Sequence, residues 1–351
     1  MMRYLYRTVA AWIAAAVLFS LPVRAAIPVS ARSAVLLDAA SGRVLWEKDG
    51  EEQSLIASTT KIMTGLLIAE DCELKAQIQV PEEAVGIEGS SLYLKQGESI
   101  SVETLLYGLM LQSGNDAAAA LAIHHSGSME AFAQAMNVRA KQLGLWNTHY
   151  VNPHGLDSEG HYSTALDLAR LTACAMDNPV FHRIVSTKTV SRGDRTFVNH
   201  NRLLWQYEGA VGVKTGYTRS AGRILVSCAE RNGRRLIAVT ISAPDDWNDH
   251  RRLLDYGFSA YTERKLLRSG EICGTVSVIG GVKREAEVVS TEDFFYPAAD
   301  EEEFQVRYVL PEFVYPPVLS GEQAGEAIFY QNETEIGRVP LIWRDTVMEE
   351  A

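Results

Sequence analysis

From Ala34 the chain runs Ala-Val-Leu-Leu-Asp, breaks at Ala39-Ala40-Ser41-Gly42, and resumes as Arg43-Val44-Leu45-Trp46-Glu47. Two short apolar runs around a tight glycine-containing turn predict a pair of β-strands that opens a sheet. The period then changes. Ser58 to Ala69 is mostly apolar and predicts a helix, and Val102 to Leu143 is rich in Ala and Leu at helical spacing, including the run Ala117 to Ala120. Strand character returns near Val211–Thr215, and the apolar runs Arg223–Glu230 and Arg234–Ser242 flank Arg231-Asn232-Gly233, a strong hairpin signal. Asn248 to Tyr261 predicts a closing amphipathic helix. Strands, then helices, then strands give an α/β domain built on an antiparallel sheet that a helical cluster interrupts.

Beyond about Glu263 the pattern becomes short Val-rich runs at 275–279, 286–290, 304–310, 327–331 and 337–341, broken by Gly, Pro and acidic clusters. That predicts a separate small all-β domain over 263–345. Asp300 to Glu303 reads there as a solvated loop rather than a metal site. At the other end, Arg3 and Arg7 precede the apolar run Thr8 to Leu21, and Val23-Arg24-Ala25 offers small residues for cleavage. Residues 1–25 therefore read as a secretory signal, too short to span a bilayer, which leaves 26–262 as the first folded domain and predicts an exported protein.

Composition narrows the partners. With 351 residues, 47% of them hydrophobic and 22% charged, the chain has material for two ordinary globular domains. A net charge of −11 argues against nucleic acid or an anionic membrane surface, since both are approached through basic patches. Cys72, Cys174, Cys228 and Cys273 lie far apart, with no C-x-x-C and no His at ligand spacing, so neither a metal nor another cofactor is expected. Cys174 and Cys228 sit in apolar stretches and read as small buried hydrophobes, although an exported chain also permits disulfides.

Three short motifs carry chemistry: Ser58-Thr59-Thr60-Lys61, Ser113-Gly114-Asn115 and Lys214-Thr215-Gly216. Singly they mean little, because Ser-x-x-Lys arises by chance about once in a chain this long. Their order and setting give them weight. Lys61 lies one helical turn beyond Ser58 and reaches its hydroxyl, so the pair suits a nucleophile and its base if Lys61 is buried and Lys214 supplies a second cation that lowers its pKa. The competing reading makes Ser58 a helix cap and Lys61 a solvated residue. Ser113 sits in a break before the Ala-rich helix, where it suits a proton relay, and the Asn115 amide suits a substrate peptide group; the competing reading makes one of them the cap of that helix. Lys214 and Thr215 on a strand suit a substrate carboxylate, Gly216 leaves room for a substrate backbone alongside, and the Tyr217 N–H would join the Ser58 N–H as an oxyanion hole.

These motifs resemble the penicillin-binding serine DD-peptidases, specifically the low-molecular-mass D-alanyl-D-alanine carboxypeptidases of peptidase family S11. The likeness extends through Ala57 to Thr64, Asn152-Pro153-His154-Gly155-Leu156 and His161 to Ala169, and the tail resembles the family's small β-sandwich domain. The resemblance implies a β-lactamase-like catalytic domain that removes the terminal D-alanine of the peptidoglycan stem pentapeptide through an acyl-enzyme, with β-lactams as covalent inhibitors. It assigns Ser58 as nucleophile, Lys61 as base, Ser113 as relay, and Asn115, Lys214, Thr215, Gly216 and Tyr217 to the substrate. Ile56 stands where the family usually has Pro, and His200 stands near a position where some members carry Arg. Thr346–Ala351 is short and acidic where many members have a membrane-surface helix, so at most weak membrane association is expected. A DD-endopeptidase is the alternative enzyme. A β-lactamase is disfavoured, for want of a deacylating Glu in an omega-type loop, and a silent binding module has no need of all these groups.

Overall fold

The computed structural model describes residues 27–351, so the expected signal segment lies outside the described residues. The chain opens with β1 (Ser33–Asp38) and β2 (Val44–Lys48), a 3-10 turn over Ala57–Thr60 and α1 (Lys61–Asp71). A small hairpin, β3 (Gln77–Gln79) with β4 (Ser99–Ser101), precedes the helices α2 (Val102–Leu111), α3 (Asn115–Ser126) and α4 (Met129–Gln142). Next come α5 (Ala165–Asp177), α6 (Pro179–Ser186), a hairpin of β5 (Thr189–Arg192) with β6 (Arg195–Val198), and the short α7 (Leu203–Gln206). The sheet then resumes with β7 (Ala210–Thr218), β8 (Gly222–Arg231) and β9 (Arg234–Ile241), and α8 (Asp246–Ala260) follows.

These elements form a five-stranded antiparallel sheet in the order β2-β1-β9-β8-β7. Both faces of its centre are covered. Val35, Leu37, Ile237 and Val239 point into the helical cluster, whereas Ala34, Leu36, Leu236 and Ala238 meet α8 through Leu253 and Leu254. That two-sided burial is why β1 reads as a continuous apolar run instead of an alternating one. Within the cluster, Ala117 to Ala120 of α3 are fully buried, and such short side chains let α3 pack closely against its neighbours. Serine caps start two of these helices: the Ser101 and Ser128 hydroxyls accept from the N–H groups of Thr104 and Ala131.

From Thr262 onward the chain is all β: β10 (Thr262–Leu267), β11 (Ile272–Val278), β12 (Glu285–Ser290), β13 (Phe294–Ala298), β14 (Gln305–Val309), β15 (Phe313–Val314), β16 (Gln323–Gln331) and β17 (Thr334–Trp343). A six-stranded sheet, ordered β14-β16-β17-β12-β11-β15, packs with the β10–β13 pair around Val276, Val288, Phe329, Val339 and Leu341. Phe294 of β13 stacks on Phe329 of β16 at 4.2 Å between ring centres. The four cysteines are free, and Cys228 and Cys273 are buried. Among the described residues no helix is long and apolar enough to cross a membrane.

Candidate active site

β7 is an edge strand, and beside its free side lies a cleft of about 590 Å³ lined by Ser58, Ser113, Asn199, His200, Thr215 and Gly216 among others. The nucleophile candidate does not cap a helix. Ser58 stands inside the 3-10 turn, whose capping position is Ile56, with no side-chain bond, and α1 follows directly from Lys61. Ala57, just before Ser58, has φ of +45°, a left-handed conformation that a residue with a Cβ adopts at a cost of about 1–2 kcal/mol.

Lys61 is fully buried beneath the cleft floor, so the solvated alternative does not hold. Its Nζ lies 3.0 Å from Ser58 Oγ, 2.7 Å from Asn115 Oδ1 and 2.6 Å from the His154 carbonyl oxygen. A neutral amine has two N–H bonds and one lone pair. Asn115 Oδ1 and the His154 carbonyl accept both N–H groups, which leaves the lone pair for the Ser58 hydroxyl. Burial, and then the neighbouring Lys214 ammonium, hold the Lys61 pKa well below the ordinary amine value, while Asp116 pulls the other way. Burial likewise brings Lys214 down to about 7.

Ser113 begins the turn before α3 with φ of +65°, and its buried Oγ has no hydrogen-bond partner although the residue lines the cleft. Neither it nor Asn115 caps α3, because the capping position is Gly114 and makes no side-chain bond. The Asn115 amide is committed on both sides, its Oδ1 to Lys61 and its Nδ2 to the Glu88 carbonyl at 2.5 Å. On β7, Lys214 points into the protein and donates to its neighbour's carbonyl at Thr215 (2.9 Å), while Thr215, Gly216 and Tyr217 line the cleft. A Cβ on Gly216 would stand 3.3 Å from the Ser58 nitrogen, which shows how closely the strand passes the nucleophile. Tyr217 is exposed at the rim.

The structure thus gathers all eight residues singled out in the sequence, with Lys61, Asn115 and Lys214 below the floor and Ser58, Ser113 and Thr215 to Tyr217 on it or at its rim. It adds groups that the sequence reading left without a task. Asp116 accepts from the N–H groups of Leu92, Leu94 and Ala117 and from the Ser91 hydroxyl, fastening the segment that covers α3. The His154 carbonyl holds Lys61, from within the stretch Asn152 to Leu156 that carries part of the family resemblance. On the far wall, Arg202 lies over the Trp247 ring at 6.0 Å, and Arg223 pairs with Asp246. Burial and Lys214 lower the His200 pKa, so this cleft residue is neutral near pH 7. Among the described residues no group of His, Cys, Asp and Glu is arranged to hold a metal ion.

A family model described as D-alanyl-D-alanine carboxypeptidase matches residues 22–245, and a second, described as penicillin-binding protein 5, C-terminal domain, matches 261–349. The chain is similar to the D-alanyl-D-alanine carboxypeptidase DacF of Bacillus subtilis (strain 168), 32% identical over 327 residues, which cover 89% of this chain and 84% of the relative. It is similar also to DacC of Escherichia coli (strain K12), 35% identical over 340 residues, covering 92% of this chain and 85% of that one. Among solved structures, penicillin binding protein 5 from Haemophilus influenzae superposes with a TM-score of 0.79 at 29% identity, covering 92% of this chain and 98% of that one.

Proposed function

The chain belongs to the D-alanyl-D-alanine carboxypeptidase family, and from that membership we propose that it removes the terminal D-alanine of peptidoglycan stem pentapeptides through an acyl-enzyme on Ser58. The observation that carries this reading is the trio of contacts around Lys61 Nζ, which turns its free lone pair toward the Ser58 hydroxyl. Ser58 Oγ attacks the carbonyl of the penultimate D-alanine as its proton passes to Lys61. The developing oxyanion accepts from the Ser58 and Tyr217 N–H groups. The C–N bond then breaks, and the Ser113 hydroxyl passes the proton from Lys61 to the departing amine. Water repeats the sequence on the acyl-enzyme, restoring Ser58.

The substrate backbone lies along the free edge of β7 as an added strand, with Gly216 giving it room and the Thr215 hydroxyl facing its carboxylate, while Lys214, buried below the floor, acts through its charge and not by contact. Asn115, buried below the floor, holds Lys61, so its part is to set the base and not to touch the substrate. A β-lactam acylates the same serine, but its amine stays tethered to the acyl group and obstructs water, so the adduct persists. The work is extracytoplasmic, consistent with the leader read over residues 1–25, and the chemistry belongs to the domain that ends near residue 262. Benzylpenicillin provides the test. Intact mass should rise by one penicilloyl group, mapped to the peptide holding Ser58 and absent in Ser58→Ala; an adduct on another residue, or none, would remove Ser58 from the mechanism.

A further inference from the structure

Thr60 occupies a position within Ser58-Thr59-Thr60-Lys61 to which the chemistry above gives no task, yet its side chain is fully buried and doubly bonded. Its Oγ1 lies 2.8 Å from the Ala57 carbonyl oxygen and 2.8 Å from His161 Nε2. His161 Nδ1, on the other side of the ring, accepts the Val151 N–H at 3.0 Å. These contacts fix every proton in the chain. Because Nδ1 accepts from a backbone amide, the imidazole proton sits on Nε2; Nε2–H then donates to Thr60 Oγ1, and the hydroxyl must donate to the Ala57 carbonyl. Burial pushes the His161 pKa down to about 4, which keeps the ring neutral and the order intact near pH 7.

The receiving carbonyl belongs to the strained residue Ala57, and its peptide is shared with Ser58. In a trans peptide the C=O and N–H point in opposite directions within one plane. Whatever holds the Ala57 carbonyl therefore aims the Ser58 N–H. The far side of that carbonyl is closed by Gly155, where an added Cβ would stand 1.9 Å from the Ala57 oxygen and 2.8 Å from Thr60 Oγ1. The loop bearing Gly155 is itself fastened to α1, since Thr64 Oγ1 donates to the Pro153 carbonyl at 2.7 Å and Lys61 donates to that of His154.

We propose that Thr60 and His161 are positioning residues that aim the Ser58 N–H into the oxyanion hole by clamping the Ala57 carbonyl from behind. The inference rests on the reading of Ser58 as nucleophile and oxyanion donor. Thr59 makes a useful contrast, for its hydroxyl bonds only the Ile56 carbonyl, at 2.6 Å, and has no second side-chain partner. A misaimed donor fails where negative charge develops, so the clamp acts on the acylation step more than on binding.

Thr60→Val keeps the shape and removes the hydroxyl, whereas Thr60→Ser keeps the hydroxyl. In rapid-mixing experiments with a fluorescent penicillin, Thr60→Val should acylate roughly tenfold to a hundredfold more slowly with its prior non-covalent Kd within about threefold of wild type, and Thr60→Ser should stay within about threefold for both. A matched pair of ester and thionoester substrates separates aim from general damage, because the larger, weakly accepting sulfur gains little from the hole. The oxo-over-thiono preference should fall at least about fivefold in Thr60→Val. If Thr60→Val fails to fold, His161→Leu against His161→Gln carries the same comparison, with Gln retaining a donor toward Thr60. Normal acylation by the variants that remove the clamp, or an equal loss for the oxo and thiono substrates, would overturn the inference. Failure of the wild-type protein to form an adduct on Ser58 would instead overturn the reading on which it rests.

Discussion

Lys61 is a fully buried amine whose three polar neighbours are a serine hydroxyl, an amide oxygen and a backbone carbonyl, with no carboxylate in contact. Such a site selects the neutral amine, which is the state a base needs. Lys61→Met should lower acylation by about three orders of magnitude while the fold persists, as measured by penicillin adduct formation beside circular dichroism. The pH dependence follows from the same contacts. Acylation should rise as Lys61 loses its proton, along a limb well below the ordinary lysine range. In Lys214→Gln the loss of the second cation should move that limb to higher pH, because the charge that lowers the Lys61 pKa is gone. A pH profile that is the same in both proteins would remove Lys214 from the tuning.

At the scale of elements, Asp116 shows how one side chain fixes a segment. Its buried carboxylate takes the N–H groups of Leu92 and Leu94, so Asp116→Ala strands several donors and should cost about 2–4 kcal/mol in denaturant unfolding, with faster proteolysis across 86–97. The sheet and the first helices were legible because their apolar runs and the Asn232-Gly233 turn are strong local signals. The motif order told which loops must meet. Much of 165–206 went unread as structure, although Thr164, whose hydroxyl accepts the Asp167 N–H, is a visible cap for α5. The start of β10, Thr262-Glu263-Arg264-Lys265, is polar and largely exposed, and the β5–β6 hairpin alternates over only four residues a strand, too few to stand out as a period. The expected single helix from Ser58 is split by the 3-10 turn, since left-handed Ala57 and the side-chain bonds of Thr59 and Thr60 to carbonyls three residues back tighten its first turn. The clamp of Thr60, His161 and Gly155 depends on contacts about a hundred residues apart, which a local pattern does not encode.

Across the whole molecule, the two parts of the chain meet at Arg43. Its guanidinium pairs with Glu302, donates to the Pro297 carbonyl and lies 5.0 and 5.2 Å from the rings of Tyr261 and Tyr296. Arg43→Ala should cost about 2 kcal/mol and speed protease cleavage near residue 262, while D-alanine release stays within about twofold of wild type. A matching loss of activity would tie the β domain to catalysis. Acid stability depends on three buried imidazoles. Burial lowers the pKa values of His154 and His161 to about 4 and of His250 to about 3, from an ordinary 6.5. Between 6.5 and those values the unfolded chain binds protons that the folded chain does not, so stability is full above about pH 6.5 and falls below it, by roughly 2 kcal/mol per group at pH 5. Thermal unfolding across pH 7 to 5 checks this, and an unchanged Tm would contradict it.

The most direct test of the central claim is D-alanine release from a stem pentapeptide ending in D-Ala-D-Ala, comparing wild type with Ser58→Ala and running cross-linked dimers in parallel. The account predicts release by the wild type, none by the variant, and slower or absent cleavage of the dimer. Equal release by both proteins would contradict Ser58 as the nucleophile, and an intact pentapeptide beside a cleaved dimer would replace the carboxypeptidase with an endopeptidase.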